Sequence, residues 1–229
     1  MPDAEGPQQE RQEEAKVIRT LADASAEAAS CTKCRLAEGR TQVVFGIGDP
    51  DAELMFIGEA PGLHEDKQGE PFVGAAGQLL TRMLGDIGLT RADVYIANIL
   101  KCRPPGNRDP LSDEIESCTP WLIEQISLIQ PTLVVTLGNF ATKFVLNTHT
   151  GITRLRGQKF PWHGRTVIPT FHPAAILHGG GEGSKQFEQL RDDFAAIQRT
   201  LEELRNPPAA KVVPEESEPP TEEDQMELF

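Results

Sequence analysis

The chain predicts a three-layer α/β/α domain with a mainly parallel central sheet. Three observations carry that expectation. Between residues 31 and 205, short apolar runs alternate with amphipathic stretches; each run is followed by a turn signal or a motif; and 229 residues with 38% hydrophobic content suffice to bury one full core.

The runs Glu53–Gly58 (ELMFIG), Val94–Leu100 (VYIANIL), Thr132–Gly138 (TLVVTLG) and Thr166–Phe171 (TVIPTF) are brief and almost wholly apolar, the pattern of strands covered on both faces. Helical periodicity lies between and after them, near Ala75–Ile87, Ser112–Ile129, Phe140–Asn147 and Ser184–Arg205. In such an alternating sheet, ligand chemistry is expected at the carboxyl ends of the strands. No internal repeat is evident.

Charge separates the ends from the middle. Residues 1–30 hold seven acids against three bases and residues 206–229 seven against one, so the ends carry −4 and −6 of the formal −13. An acidic total argues against a nucleic-acid partner only when it is evenly spread, which it is not here. We therefore divide the chain into an acidic, partly helical N-terminal extension (1–30), a catalytic-sized domain (31–205) and an acidic tail (206–229). The tail's NPPAAKVVPEESEPPTEED has the Pro and Glu content of a solvated, disordered linker.

Four cysteines are present, Cys31 and Cys34 as a CxxC and Cys102 and Cys118 16 residues apart. With no signal peptide and no apolar run long enough to span a bilayer, the expected location is a reducing cytoplasm, where this layout points to metal rather than disulfides. Zinc and a cubane iron–sulfur cluster both accept four thiolates. The wide second spacing favours the cluster over zinc, whose four-cysteine sites usually pair two close knuckles.

The strand ends carry the other informative segments: GEAPGLHED (Gly58–Asp66) and GEPFVGAAG (Gly69–Gly77) after the first strand, Asn98 and the cysteine loop after the second, FHPAAILHGGG (Phe171–Gly181) after the fourth. Together they bring Glu59, Glu65, Phe72, Asn98 and His172 to one mouth, a set able to bind a flat heterocycle. Phe72 offers a stacking face, the Asn98 amide offers donors and an acceptor side by side, and His172 can support an oxygen that becomes negative. Each also has a plain structural reading: a core phenylalanine, a strand-end asparagine, a turn-shaping histidine, ion-paired glutamates. Lys101, Arg103, Asn107 and Arg108 beside the cysteines are candidates for phosphate contacts or for a solvated loop. Leu177 is one apolar residue in a loop-like segment, a candidate wedge or equally a packing residue. His64, His149, His163 and His178 are assigned nothing catalytic.

The combination CxxC, GEAPG-x-x-ED, PFVG-x-AG, N-x-x-KCRPPGNRDP, a fourth cysteine and HPAA resembles the family 4 uracil-DNA glycosylases, the iron–sulfur branch of their superfamily, across residues 31–203. The resemblance implies the superfamily's α/β/α fold, a [4Fe–4S] cluster on Cys31, Cys34, Cys102 and Cys118, and hydrolysis of the bond joining uracil to deoxyribose in DNA. It further implies that Asn98 reads uracil O4 and N3–H, that Phe72 stacks on the ring within a pocket edged by Gly58 and Ala60, and that His172 donates to O2. Glu59 and Glu65 are then the candidates for positioning water and supporting a cationic sugar. The best-known branch of the superfamily carries Asp where this chain has Ala60, so that role does not transfer to the position. Gly62 is no bulky blocker either, which leaves Glu65 or the backbone at Pro61–Gly62 to refuse thymine. The competing class is a non-catalytic iron–sulfur protein that recognises uracil-containing or damaged DNA.

The last five residues, Gln225-Met226-Glu227-Leu228-Phe229, resemble the QLxLF-type peptide by which bacterial replication and repair proteins dock on the β sliding clamp. Gln225, Leu228 and Phe229 are its expected contacts. The expected state is a monomer associated with the nucleoid.

Overall fold

The computed structural model describes residues 19–207. The first 18 residues, and the tail with its terminal peptide, lie outside the described residues.

Six strands form one sheet in the order β1-β3-β2-β4-β6-β5. The strands are β1 (Ile47–Gly48), β2 (Leu54–Gly58), β3 (Tyr95–Asn98), β4 (Leu133–Leu137), β5 (Phe160–Trp162) and β6 (Arg165–Thr170). The inner four are parallel, and β1 and β5 run antiparallel along the edges. All four expected strands are present. The two edge strands were not expected, because two or three residues leave no periodic signal, and Pro161 in β5 is tolerated only where no ladder hydrogen bond is needed.

Continuous apolar runs arise because both faces of the sheet are covered, and side chains alternate between them. Leu54, Phe56, Ile96, Leu133, Val135 and Ile168 enter one core, which also holds Leu80, Met83, Leu190 and Phe194. Met55, Ile57, Tyr95, Ala97, Val134 and Val167 enter the other, with Leu122, Ile126 and Val145. The helices are α1 (Leu21–Ala29), α2 (Leu63–Gln68), α3 (Ala75–Asp86), α4 (Ser112–Ile129), α5 (Gly138–Leu146), α6 (Ile152–Leu155), α7 (Pro173–His178) and α8 (Lys185–Arg205). The first core takes α3 and α8, the second α4 and α5, completing the three layers. The short α2, α6 and α7 lie inside segments whose sequence reads as loop.

The N-terminal extension is not separate from the domain. A capping box opens α1, with the Thr20 side chain on the Asp23 N–H and the Asp23 side chain on the Thr20 N–H. Ala24 and Ala28 of this helix are fully buried in a third core with Leu36, Phe45, Leu100 and Trp121, beside Cys102 and Cys118. The folded unit thus starts before Cys31.

At the far end of the sheet, Asp193 is almost fully buried and joined to the Arg156 guanidinium and the Thr170 hydroxyl (Oγ1 to Oδ2, 2.7 Å). That network fixes α8 to the end of β6, and so fixes the start of the segment that carries His172.

Candidate active site and cysteine pocket

A cavity of about 400 Å³ opens at the carboxyl ends of β2, β3 and β6, walled by Glu59, Ala60, Glu65, Phe72, Asn98 and His172 among others. Each arrives there by a local cause. Glu59 follows directly on β2, Asn98 is the last residue of β3, and His172 caps the N-terminus of α7. The parallel pairing continues beyond the strands: the Ile99 N–H donates to the Gly58 carbonyl and the Leu100 N–H to the Glu59 carbonyl, both at 3.0 Å.

Asn98 is 2% exposed, and its Oδ1 has no hydrogen-bond partner. A buried amide oxygen left unpaired costs about 1–3 kcal/mol, so its place in a cavity wall points to a ligand that pairs it. Gly58 makes the space. A Cβ there would stand 2.3 Å from Asn98 Oδ1 and 2.7 Å from Phe72 Cζ, so only glycine leaves both side chains where they are.

Phe72 lies in the left-handed region at φ 56°, unusual for an aromatic residue and worth about 1–3 kcal/mol of strain. Several contacts hold it there. Arg91 donates to the Phe72 carbonyl at 3.1 Å and to the Pro71 carbonyl at 2.7 Å. Glu65 Oε1 accepts from the N–H groups of Val73 (3.0 Å) and Gly74 (2.9 Å), at the start of α3. The α3 backbone passes so close that a Cβ on Gly77 would stand 1.7 Å from the Phe72 carbonyl oxygen. The Phe72 ring lies 5.5 Å from the His172 ring at 29° between planes.

His172 Nδ1 accepts from the Ala174 N–H at 3.1 Å, which assigns the proton of the neutral ring to Nε2. Burial pushes its pKa down to about 4, with the Glu65 charge pulling the other way. The imidazole is therefore a neutral donor. Glu59 is half-buried, and no hydrogen bond or ion pair ties its carboxylate among the described residues. Burial, and secondarily the charge of Asp109, raises its pKa.

The candidate DNA contacts behave differently from one another. Both terminal guanidinium nitrogens of Arg108 bind Glu114, at 2.9 and 2.6 Å, and Arg103 Nε donates to Asn107 Oδ1 at 2.7 Å. These residues brace the cysteine loop, and Asn107 and Arg108 also line the cavity. Lys101, expected on the surface, is buried and donates to the Asn98 carbonyl and to Gln125. Leu177 is 37% exposed on α7 and does not line the cavity.

A second, smaller pocket is lined by all four cysteines together with Arg40, Lys33, Lys101 and Trp121. The four thiols are free of disulfides. Arg40 donates to Cys102 Sγ at 3.5 Å and the Lys101 N–H to Cys118 Sγ at 3.2 Å. Trp121 Nε1 is buried here without a partner, and Lys33 Nζ sits 4.7 Å from the Trp121 ring centroid. Among the described residues no group of three His, Cys, Asp or Glu side chains is gathered as a single-ion site. Arg40 and Arg91 escaped the sequence reading, since nothing in their spacing ties them to these pockets, whereas Lys33 stood inside the CxxC. Trp121 had a signal, standing three residues after Cys118 on the same face of a helix.

Fold and site together define a class, and residues 45–195 match the family model described as the uracil DNA glycosylase superfamily. The chain is 50% identical over 161 residues to the Type-4 uracil-DNA glycosylase of Sulfurisphaera tokodaii (66% of this chain, 73% of that protein). It is 44% identical over 195 residues to that of Archaeoglobus fulgidus (82% and 94%) and 48% identical over 149 residues to that of Thermotoga maritima (64% and 78%). The chain belongs to the type-4 uracil-DNA glycosylases. Among the described residues no helix is long and apolar enough to cross a membrane.

The pKa of His172 generates a test. A histidine with its ordinary value of 6.5 gains a proton near that pH, whereas His172 in the folded protein does so only near 4. Between those values the unfolded chain binds a proton that the folded chain does not, so this residue makes stability fall as pH falls from about 6.5 towards 4. Its ring resonances in NMR are expected to stay unshifted from pH 8 to pH 5. Titration near 6.5 overturns the neutral assignment.

Proposed function

We propose that this protein removes uracil from DNA by hydrolysing the N-glycosidic bond, and that the cavity at the strand ends is where it does so. The observation that carries this reading is the convergence, in one cavity, of the unpaired Asn98 amide, the strained Phe72 ring and a neutral His172 donor.

A base inside a duplex cannot reach such a cavity, so the nucleotide is flipped out at a cost of a few kcal/mol. Phe72 stacks on the ring, and the Asn98 amide pairs with uracil O4 and N3–H. Cytosine presents an amino group and an unprotonated N3 at those positions and cannot pair in the same way. As the glycosidic bond lengthens, negative charge gathers on uracil O2, and His172 Nε2–H, already in place, stabilises it. Glu59, whose carboxylate is uncommitted, positions the water and supports the cationic sugar; Glu65, held by two backbone N–H groups, keeps the Phe72 turn in shape. Single-turnover excision from a uracil-containing oligonucleotide tests these roles. His172→Ala is expected to slow excision by about 10²–10³ with little loss of DNA affinity, and Asn98→Asp to weaken uracil reading, because a carboxylate cannot donate to O4. Parent rates in both variants would show the cavity to be misassigned, and binding without cleavage by the parent would favour a recognition protein.

Cys31, Cys34, Cys102 and Cys118 fit a [4Fe–4S] cluster. What supports this is the pocket shared by four thiols, two donors already directed at sulfur, and the orphaned Trp121 Nε1–H, for which an inorganic sulfide is a suitable acceptor. When bound, the cluster supplies a cross-link between α1's exit, the cysteine loop and α4. Cys102→Ala or Cys118→Ala is expected to lose iron, lose the broad visible absorbance and melt at a lower temperature. Full iron content with unchanged melting in both variants would rule out a structural cluster.

The terminal peptide is proposed to dock on the β sliding clamp through Gln225, Leu228 and Phe229, with the acidic linker as tether. Tethering raises the enzyme's effective concentration at DNA that carries a clamp. Deleting residues 225–229 is expected to abolish clamp binding in calorimetry and to leave excision from short oligonucleotides intact. Equal clamp affinity with and without the peptide contradicts the assignment.

A further inference from the structure

We propose that Lys101 is a positioning residue for the Asn98 amide, a buried hydrogen-bond donor that sets where the uracil-reading group stands. The proposal rests on the reading of Asn98 given above.

The Ile99 N–H turns toward Gly58 of β2, so the Asn98 carbonyl faces the opposite edge of β3. There β1 pairs only with Tyr95 and Ile96 and stops short of Asn98. The last carbonyl of the strand would lack a backbone partner. Lys101 supplies one, its Nζ donating to the Asn98 oxygen at 2.7 Å across three residues of chain.

The Lys101 Nζ is itself held from two other sides. Gln125 Oε1, on α4, accepts from it at 2.5 Å, and the Phe45 ring presents its face with the centroid 5.7 Å away. Gln125 cannot rotate its amide to serve another group, because Nε2 already donates to the Phe45 carbonyl (2.8 Å) and lies 3.1 Å from the Tyr95 hydroxyl. Tyr95 begins the strand that Asn98 ends. Lys101, Gln125, Tyr95 and the Phe45 carbonyl thus form a closed network beneath Asn98, with Lys101 and Gln125 buried.

A lysine in this position is costly. Burying its polar head takes it out of water at a cost that three partners only partly offset, and an apolar side chain of similar length would fill the volume at less cost. What it could not do is hold the Asn98 carbonyl. The side chain that reads the base is carried by the same Cα, so loss of that hydrogen bond frees the strand end to shift. A misplacement of about 1 Å in a reacting complex costs roughly 10²-fold in rate.

The test uses the full-length protein with its metal. Lys101→Met is expected to slow single-turnover excision at least about tenfold and to weaken binding of a non-cleavable 2′-fluorouridine duplex, while affinity for the abasic product duplex is unchanged. Gln125→Met removes the second support from another helix and is expected to give the same pattern, which covers the event that Lys101→Met fails to fold or loses iron. In an Asn98→Ala background, Lys101→Met is expected to add little, because its effect passes through Asn98. Parent-like excision and 2′-fluorouridine binding in Lys101→Met or Gln125→Met, or losses that multiply with Asn98→Ala, overturn the proposal. A parent rate in Asn98→Ala alone would instead show that Asn98 is not the reader.

Discussion

The backbone pairing of Gly58–Glu59 with Ile99–Leu100, past the point where the side-by-side strands are covered, is the constraint on which the rest of this molecule depends. Two hydrogen bonds there hold the GEAPG turn against the segment leading into the cysteine loop. Everything chemical is attached to those two segments or packs on them. Glu59 and Ala60 follow from one, Asn98, Lys101 and Cys102 belong to the other, and Phe72 is pressed against Gly58 between them. The parallel sheet supplies the register, and the glycine supplies the room.

That arrangement places a residue with a left-handed backbone, Phe72, at the cavity wall. The Phe72 ring projects from a turn into the cavity wall, and that turn has a left-handed backbone. Arg91, Glu65 and the close approach of α3 at Gly77 hold the turn through its backbone, while the ring lies beside His172. This part of the cavity wall is therefore fixed before any ligand enters, the condition that electrostatic preorganisation requires.

Much of the fold was legible in the sequence because both faces of the sheet are buried, which forces unbroken apolar runs such as LMFIG and LVVTL. The edge strands were not, since Ile47–Gly48 and Phe160–Trp162 are too short to show alternation and owe their conformation to the neighbouring strand. Lys101 was misread for a related reason. A lysine beside arginines in a polar loop has the local signature of a surface residue, and only the partners 24 residues further on, in α4, and three residues back make its burial tolerable. Glu65 lined the expected cavity, yet the amides of Val73 and Gly74 that engage it depend on a turn whose shape no spacing rule specifies.

The enclosure of the cysteine pocket also bears on how the protein is made. Its walls come from residues spread between Ala28 and Trp121, with α1 covering one side and α4 the other. During synthesis Cys31 and Cys34 leave the ribosome long before Cys118, and α4 cannot close the pocket until it has emerged. A nascent chain of about half the final length therefore exposes the CxxC before Cys118 has emerged. The pocket takes shape only late in synthesis, once Trp121 of α4 packs in one core with Ala28 of α1.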